Sequence, residues 1–278
     1  MKLFNPWLLL ALAGCWPGVA RAQLQLLPDR EPQPVFAGDA RKIAVVWHNA
    51  GWQPANAEIH TRIFQTTLAT VVQLGESSWK KLQVLPGQTV LESAKFDFPD
   101  VRAETKFLVQ WLENTNRIIG VTEVRVYPTN LLGQLKPLAE NRSLGVFDPQ
   151  NHLKPLLKNA RVDFVDLGNA ELEHFPGKLA IIGPFALKAQ APDGLARRIK
   201  LLAQKGAAVV WLLPPDSSEK LQPSFYLVPE GLGVVVVAQS ALVPDLPVNP
   251  ESQLHLLNFC ELALQPQFLT LPDLASQP

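Results

Sequence analysis

The side chains best suited to acid–base chemistry are two carboxylates and one imidazole, those of Asp148, Asp216 and His152. An acid can protonate a leaving group while a carboxylate or an imidazole activates water, as hydrolysis of a glycosidic bond requires. Asp148 and Asp216 each stand beside a proline just past an apolar run, where aspartate also serves as a turn or helix-cap residue. The sequence therefore leaves two interpretations open, a catalytic set and a set of structural turn residues.

The spacing of histidines and glycines indicates neither a metal nor a cofactor. The five histidines include no H-E-x-x-H motif and no pair four residues apart, the spacing that would converge on a metal from one helix. No glycine belongs to a phosphate-binding pattern. We expect no cofactor, and a composite metal site drawn from distant loops stays open.

In the first half, apolar residues recur with a period of two, which predicts strands that bury one face. Ile43, Val45 and Trp47 share one such face. Several strands of this spacing within about 100 residues predict a β-sandwich. Trp52 and Trp79 fall in or beside its turns and form a candidate aromatic surface for a sugar, with burial in the core as the alternative.

In the second half, short apolar runs alternate with helical patterns. Strands are expected near 144–147, 161–167, 178–182, 207–213 and 233–237, with helices over 151–159 and 193–204 and from Pro250 to Pro266. Continuous apolar strands that alternate with helices predict a parallel α/β sheet covered on both faces.

Ligands of such sheets bind outside the carboxyl ends of the strands. The candidate ligand crevice consists of the polar residues that follow the predicted strands: Asp148, Gln150, Asn151, His152, Asn169, Asp216, Ser217, Ser218, Gln239 and Ser240.

The N-terminus predicts export. Lys2, the apolar stretch from Leu8 to Ala13 and the Ala20-Arg21-Ala22 cleavage site together form a signal peptide over residues 1–22. Leu12-Ala13-Gly14-Cys15 also resembles a lipobox, so anchoring through a lipid on Cys15 is the alternative to simple release. Either way we expect a periplasmic or extracellular protein with no transmembrane span after the signal is removed.

Charge and cysteine content exclude other classes. The full chain has 25 basic and 25 acidic residues. Removal of the signal peptide takes away Lys2 and Arg21 and leaves a formal charge of about −2. This charge does not favour binding to nucleic acid. Cys260 is then the remaining cysteine, so no intrachain disulfide can form, and its helical apolar surroundings predict an inert buried thiol.

Two resemblances follow from these patterns. Residues 35–128, with Phe36-Ala37-Gly38-Asp39 and Val84-Leu85-Pro86-Gly87-Gln88, resemble the immunoglobulin-like modules of exported bacterial enzymes. Residues 144–264, with Leu179-Ala180-Ile181-Ile182-Gly183-Pro184, resemble the class I glutamine amidotransferase-like family in the broad sense that includes ThuA-like proteins. Active members of that family carry a cysteine nucleophile on a glycine-flanked turn, and this chain has no such motif.

These expectations give a two-domain α+β chain. The signal peptide covers 1–22, an Ig-like β-sandwich 23–130, a linker 131–142 and a doubly wound, flavodoxin-like α/β domain 143–278. The function that we expect is that of an exported, non-catalytic binding or assembly protein with an envelope protein or a glycan as its partner. The alternative is a glycan-directed or glycoside-directed hydrolase that uses the strand-end carboxylates.

Overall fold

The computed structural model describes residues 24–139, 143–168, 172–214, 224–239 and 245–266. Over these ranges the protein is mixed α/β, with many strands in three sheets and few helices. The predicted signal peptide and Cys15 lie outside the described residues. Among the helices that are described, none is long and apolar enough to cross a membrane.

Two of the three sheets come from the first half of the chain. The three-stranded sheet has the order β1-β3-β6, and the five-stranded sheet has the order β2-β8-β7-β4-β5. The strands are β1 (Leu24–Leu27), β2 (Gln33–Phe36), β3 (Gly38–Asn49), β4 (Ala55–Thr66), β5 (Val71–Val84), β6 (Thr89–Phe98), β7 (Thr105–Glu113) and β8 (Arg117–Tyr127).

The period-two prediction for β3 is confirmed, since Ile43, Val45 and Trp47 are buried. Trp47 meets aromatic rings of the five-stranded sheet, with its centroid 5.5 Å from that of Trp111 and 6.2 Å from that of Trp79. The buried indole N–H of Trp111 donates to Thr122 Oγ1 at 3.0 Å. Aromatic packing between β3, β5 and β7 therefore forms the centre of this core.

The third sheet has six strands in the order β10-β9-β11-β12-β14-β13. Neighbouring strands among the first five are parallel, and β13 runs antiparallel to β14. The strands are β9 (Leu144–Phe147), β10 (Phe164–Asp166), β11 (Leu179–Ile182), β12 (Ala208–Leu213), β13 (Ser224–Glu230) and β14 (Gly233–Gln239).

Strand β13 is absent from the sequence prediction. Pro229 lies inside it and removes one backbone donor, which argues against a strand unless the strand lies at a sheet edge. In the structure β13 is such an edge strand, last in the sheet order. The parallel prediction is correct for the other strands and incomplete at this edge.

Both faces of the six-stranded sheet are buried. In β11, Leu179 and Ile181 belong to one apolar core, while Ala180 and Ile182 belong to the other. Within the described residues the α-helices are α1 (Leu135–Leu138), α2 (Lys154–Asn159), α3 (Leu195–Gln204) and α4 (Pro250–Leu264). Helix α3 packs into the second core, and α1, α2 and α4 pack into the first.

Residues 131–138, which the sequence assigns to a linker, form a 3₁₀ turn over Leu131–Gln134 followed by α1. Leu131, Leu132 and Leu135 are buried in the first core. This part of the predicted linker therefore helps to cover the sheet.

The described chain divides into two compact units. The first comprises Ile43–Ala94, Phe107–Glu123 and the described residues up to Glu31. The second comprises Pro32–Lys42, Lys95–Lys106 and the described residues from Val124 onward. The domain boundaries at 130 and 143 stay a prediction.

Candidate functional site

Asp148 lies one residue past β9 and is the best-defined residue of the predicted crevice. Its carboxylate is 1% exposed. Oδ2 accepts hydrogen bonds from the backbone N–H groups of Leu153, at 2.7 Å, and Lys154, at 3.0 Å. Oδ1 is buried without a hydrogen-bond partner. Asp148 therefore holds the start of α2, as helix-cap residues do.

The loop between β9 and α2 also contains Gln150, Asn151 and His152. Asn151 has a positive φ of 56° and is exposed. A hydrogen bond of 3.1 Å joins Gln150 Oε1 and His152 Nε2. The helix predicted from residue 151 begins only at Lys154, because the left-handed backbone at Asn151 interrupts it.

The remaining crevice residues separate into two groups. Gln239 ends β14, which is three strand positions from β9 in the sheet order, a distance of about 14 Å at the usual strand spacing. The structure therefore does not place Gln239 beside Asp148. The others lie outside the described residues: Asn169, Asp216, Ser217, Ser218 and Ser240.

An ion pair at the same end of the sheet was missed by the sequence analysis. Lys154 Nζ lies 2.8 Å from Asp166 Oδ2, and Asp166 is the last residue of β10, next to β9. The hydrogen bond from Lys154 lowers the pKa of the Asp166 carboxyl below its usual value. The position of Asp166 at a strand end was the available signal, since the crevice rule applies to it as well.

A cavity of about 500 Å³ adjoins this ion pair. It is lined by Asn151 of the loop before α2 and by residues of α2, β10 and the loop between them: Lys154, Lys158, Arg161, Val162, Asp163, Phe164 and Asp166. Three cations face two carboxylates, which suits a polar or anionic ligand in water. Nowhere in the described chain do three His, Cys, Asp or Glu side chains cluster as they would around a metal.

The two candidate tryptophans have different environments. Trp52 is 86% exposed in the turn after β3. Trp79 is half-buried, and its ring centroid lies 5.1 Å from that of Trp111. The end of β5 nearest to the Trp52 turn is Val84, which pairs with Ala55. Trp79 lies five residues before Val84, about 17 Å away along β5. The structure does not bring the two indoles together as one surface.

Comparison with known proteins identifies no family. No protein-family model matches the sequence, and no curated protein matches it. Solved structures that resemble parts of the chain include the Pseudomonas fluorescens alkylpurine DNA glycosylase AlkC bound to DNA containing an abasic site analog, which is 12% identical with a TM-score of 0.30 over 38% of this chain and 31% of that chain.

Two further structures show similarity of the same extent. A Listeria innocua β-glucosidase in complex with isofagomine is 13% identical, with a TM-score of 0.28 over 38% of this chain and 17% of that chain. The Bacillus subtilis sporulation control protein Spo0M is 11% identical, with a TM-score of 0.30 over 44% of this chain and 56% of that chain. The chain thus spans little more than half of the best-covered of these three structures, and their functions are not carried over.

Proposed function

We propose that this protein is an exported, non-catalytic binding or assembly protein of the cell envelope. In this proposal an Ig-like sandwich precedes a doubly wound, amidotransferase-like domain without a catalytic nucleophile. The parallel strands β10, β9, β11, β12 and β14, with helices over both faces, support the second assignment. The aromatic contacts between the two smaller sheets support the first.

The environment of Asp148 carries the non-catalytic part of the proposal. A general acid or base must come within hydrogen-bond reach of the group that it protonates or deprotonates. The Asp148 carboxylate is 1% exposed and one of its oxygens binds two backbone N–H groups of the loop that leads into α2. This favours the structural interpretation of Asp148 over the catalytic one.

Cys260 supports the same conclusion. It is a buried free cysteine within α4, and burial raises the pKa of its thiol. A nucleophilic cysteine needs a thiolate and access to its substrate. Cys260 therefore contributes to packing, in agreement with the prediction of an inert thiol.

The test combines envelope co-sedimentation with a turnover assay on the protein purified after expression of the full chain. We expect the protein to sediment with isolated cell envelopes and to release no reducing sugar from peptidoglycan sacculi, xylan or a β-glucan. Sugar release that is abolished in both Asp148→Asn and Asp216→Asn variants would replace the proposal with the hydrolase alternative. Absence of co-sedimentation would contradict the proposed envelope role.

A further inference from the structure

Trp52 combines two properties that rarely occur together. Its indole is 86% exposed, whereas most tryptophans in folded proteins are largely buried because they carry the largest apolar surface. It also lies within a turn whose backbone is fixed by a buried side chain. An exposed aromatic ring on a fixed turn is arranged to contact something outside the protein.

The residue that fixes this turn is Asn49, which is fully buried. Its Nδ2 group donates to the backbone oxygens of Gln53, at 2.8 Å, and Val84, at 3.0 Å. Its Oδ1 accepts from the backbone N–H of Gly51 at 2.9 Å. The bonds to Gly51 and Gln53 hold the chain on both sides of Trp52, and the bond to Val84 joins Asn49 to the end of β5. Little ordering of the turn is therefore needed when a ligand binds.

A polar crevice begins four residues after Trp52. This crevice has a volume of about 470 Å³ and is lined by residues of β4 and β5 and of the turn after β7: Asn56, Ala57, Glu58, Lys81, Leu82, Gln83 and Asn114. Asn56 pairs in register with Gln83, and Glu58 with Lys81. The chain from Trp52 to Asn56 spans at most about 14 Å, so one extended ligand can touch both.

The turn after β7 is tied to the crevice by its backbone. The N–H of Asn114 donates to the carbonyl oxygen of Glu58 at 3.0 Å, and Asn114 has a positive φ of 51°. The fifth polar side chain therefore belongs to a turn with a defined conformation. Strand β5, which supplies Lys81 and Gln83, is the last strand of its sheet, so the crevice is open at one edge.

We propose that Trp52 and this crevice form a binding site for a neutral oligosaccharide. A pyranose ring presents apolar C–H groups that suit an indole face, and hydroxyls that both donate and accept hydrogen bonds. The amides of Asn56, Gln83 and Asn114 offer both functions. Glu58 and Lys81 carry opposite charges, so the crevice selects neither an anion nor a cation. This inference rests on the proposed function and names the glycan class of partner.

The experiment is affinity gel electrophoresis of the protein, expressed as the full chain, in gels that contain hydroxyethyl cellulose, xylan or dextran, with a pull-down on chitin and on peptidoglycan sacculi. We expect at least one polysaccharide to retain the wild-type protein. Trp52→Ala should weaken that retention about tenfold or more, and Trp52→Phe should preserve most of it. Gln83→Ala should weaken it about threefold to tenfold, the usual worth of one hydrogen bond.

Leu91→Ala is the matched control, because Leu91 is 71% exposed and belongs to the same compact unit. Its retention should equal that of the wild type. Failure of every polysaccharide to retain the wild type, or equal retention of wild type and Trp52→Ala, would overturn the proposal. If no polysaccharide binds and Trp52→Ala nonetheless loses envelope co-sedimentation, the partner at Trp52 is a protein, the saccharide proposal fails and the proposed envelope function stands.

Discussion

The turn that carries Trp52 and the loop that follows β9 are each built around a buried polar side chain. Asn49 binds two backbone groups of its turn and one of β5, and Asp148 binds two at the start of α2. In the first turn the buried side chain supports a different residue, Trp52, that faces solvent. In the second, the buried side chain is Asp148 itself, the residue that the sequence analysis proposed as a catalytic candidate. Burial thus separates residues that shape a turn from residues that contact a ligand.

Asn49→Ala should have the largest effect on stability. The substitution removes the hydrogen bonds to the carbonyl oxygens of Gln53 and Val84 and the bond from the Gly51 N–H, at a cost of about 2–4 kcal/mol in the free energy of unfolding. Urea denaturation measures the loss. Asn116→Ala, in an exposed turn, is the control and should change stability little. A loss below about 1 kcal/mol would mean that other contacts hold the turn.

Asp148→Ala should cost about 1–2 kcal/mol, the usual penalty for losing a helix-cap acceptor. The measurement is again the free energy of unfolding in urea. Asp148→Asn keeps an oxygen that can accept from Leu153 and Lys154, so it should lose less than Asp148→Ala. Equal losses in the two variants would show that the charge, rather than the hydrogen bonds, is what Asp148 contributes.

The ion pair between Lys154 and Asp166 should contribute less than about 1 kcal/mol, because Asp166 is 36% exposed and solvent screens the pair. Lys154 lowers the pKa of Asp166 in the folded state. Its contribution is therefore complete above the unfolded-state pKa of about 3.9 and is lost as the pH falls through the lower folded-state pKa. We expect the stability difference between wild type and Lys154→Met to disappear as the pH falls below the folded-state pKa of Asp166. A difference that persists there would point to packing of the lysine stem.

Trp52→Ala should have the smallest effect on stability, within about 0.5 kcal/mol, because an exposed side chain contributes little to folding. Thermal unfolding of the two proteins under identical conditions tests this expectation. A larger loss of stability would mean that the Trp52 indole packs against the protein surface and is not free to contact a ligand. Trp52 would then resemble Asp148, because both residues would stabilise the fold.

The strand faces could be predicted because a period of two follows directly from strand geometry, as in Ile43, Val45 and Trp47. Burial of the parallel strands could be predicted from their continuous apolar runs. The inward orientation of Asp148 could not, since a turn aspartate has the same sequence pattern whether it faces water or a helix N-terminus. The late start of α2 depends on the left-handed backbone at Asn151, which asparagine permits but does not require.

The same limit applies to the tryptophans. Both Trp52 and Trp79 lie near turns in the sequence, and aromatic residues occur in cores as readily as at binding surfaces. In the structure Trp79 lies where the pairing of β5 with β4 is irregular, opposite Ile59 and His60, and its ring contacts that of Trp111. The sequence therefore predicted one aromatic surface formed by Trp52 and Trp79, whereas in the structure Trp52 is exposed and Trp79 packs against Trp111.

The second compact unit draws on three separate stretches of chain, 32–42, 95–106 and the residues from 124 onward. Phe36, from the first stretch, packs in the same core as Leu131 and Leu257. A gene fragment that starts at residue 143 would encode the six-stranded sheet without Phe36, Tyr127 or the leucines of 131–135. Such a fragment would therefore lack part of the apolar core that covers its sheet.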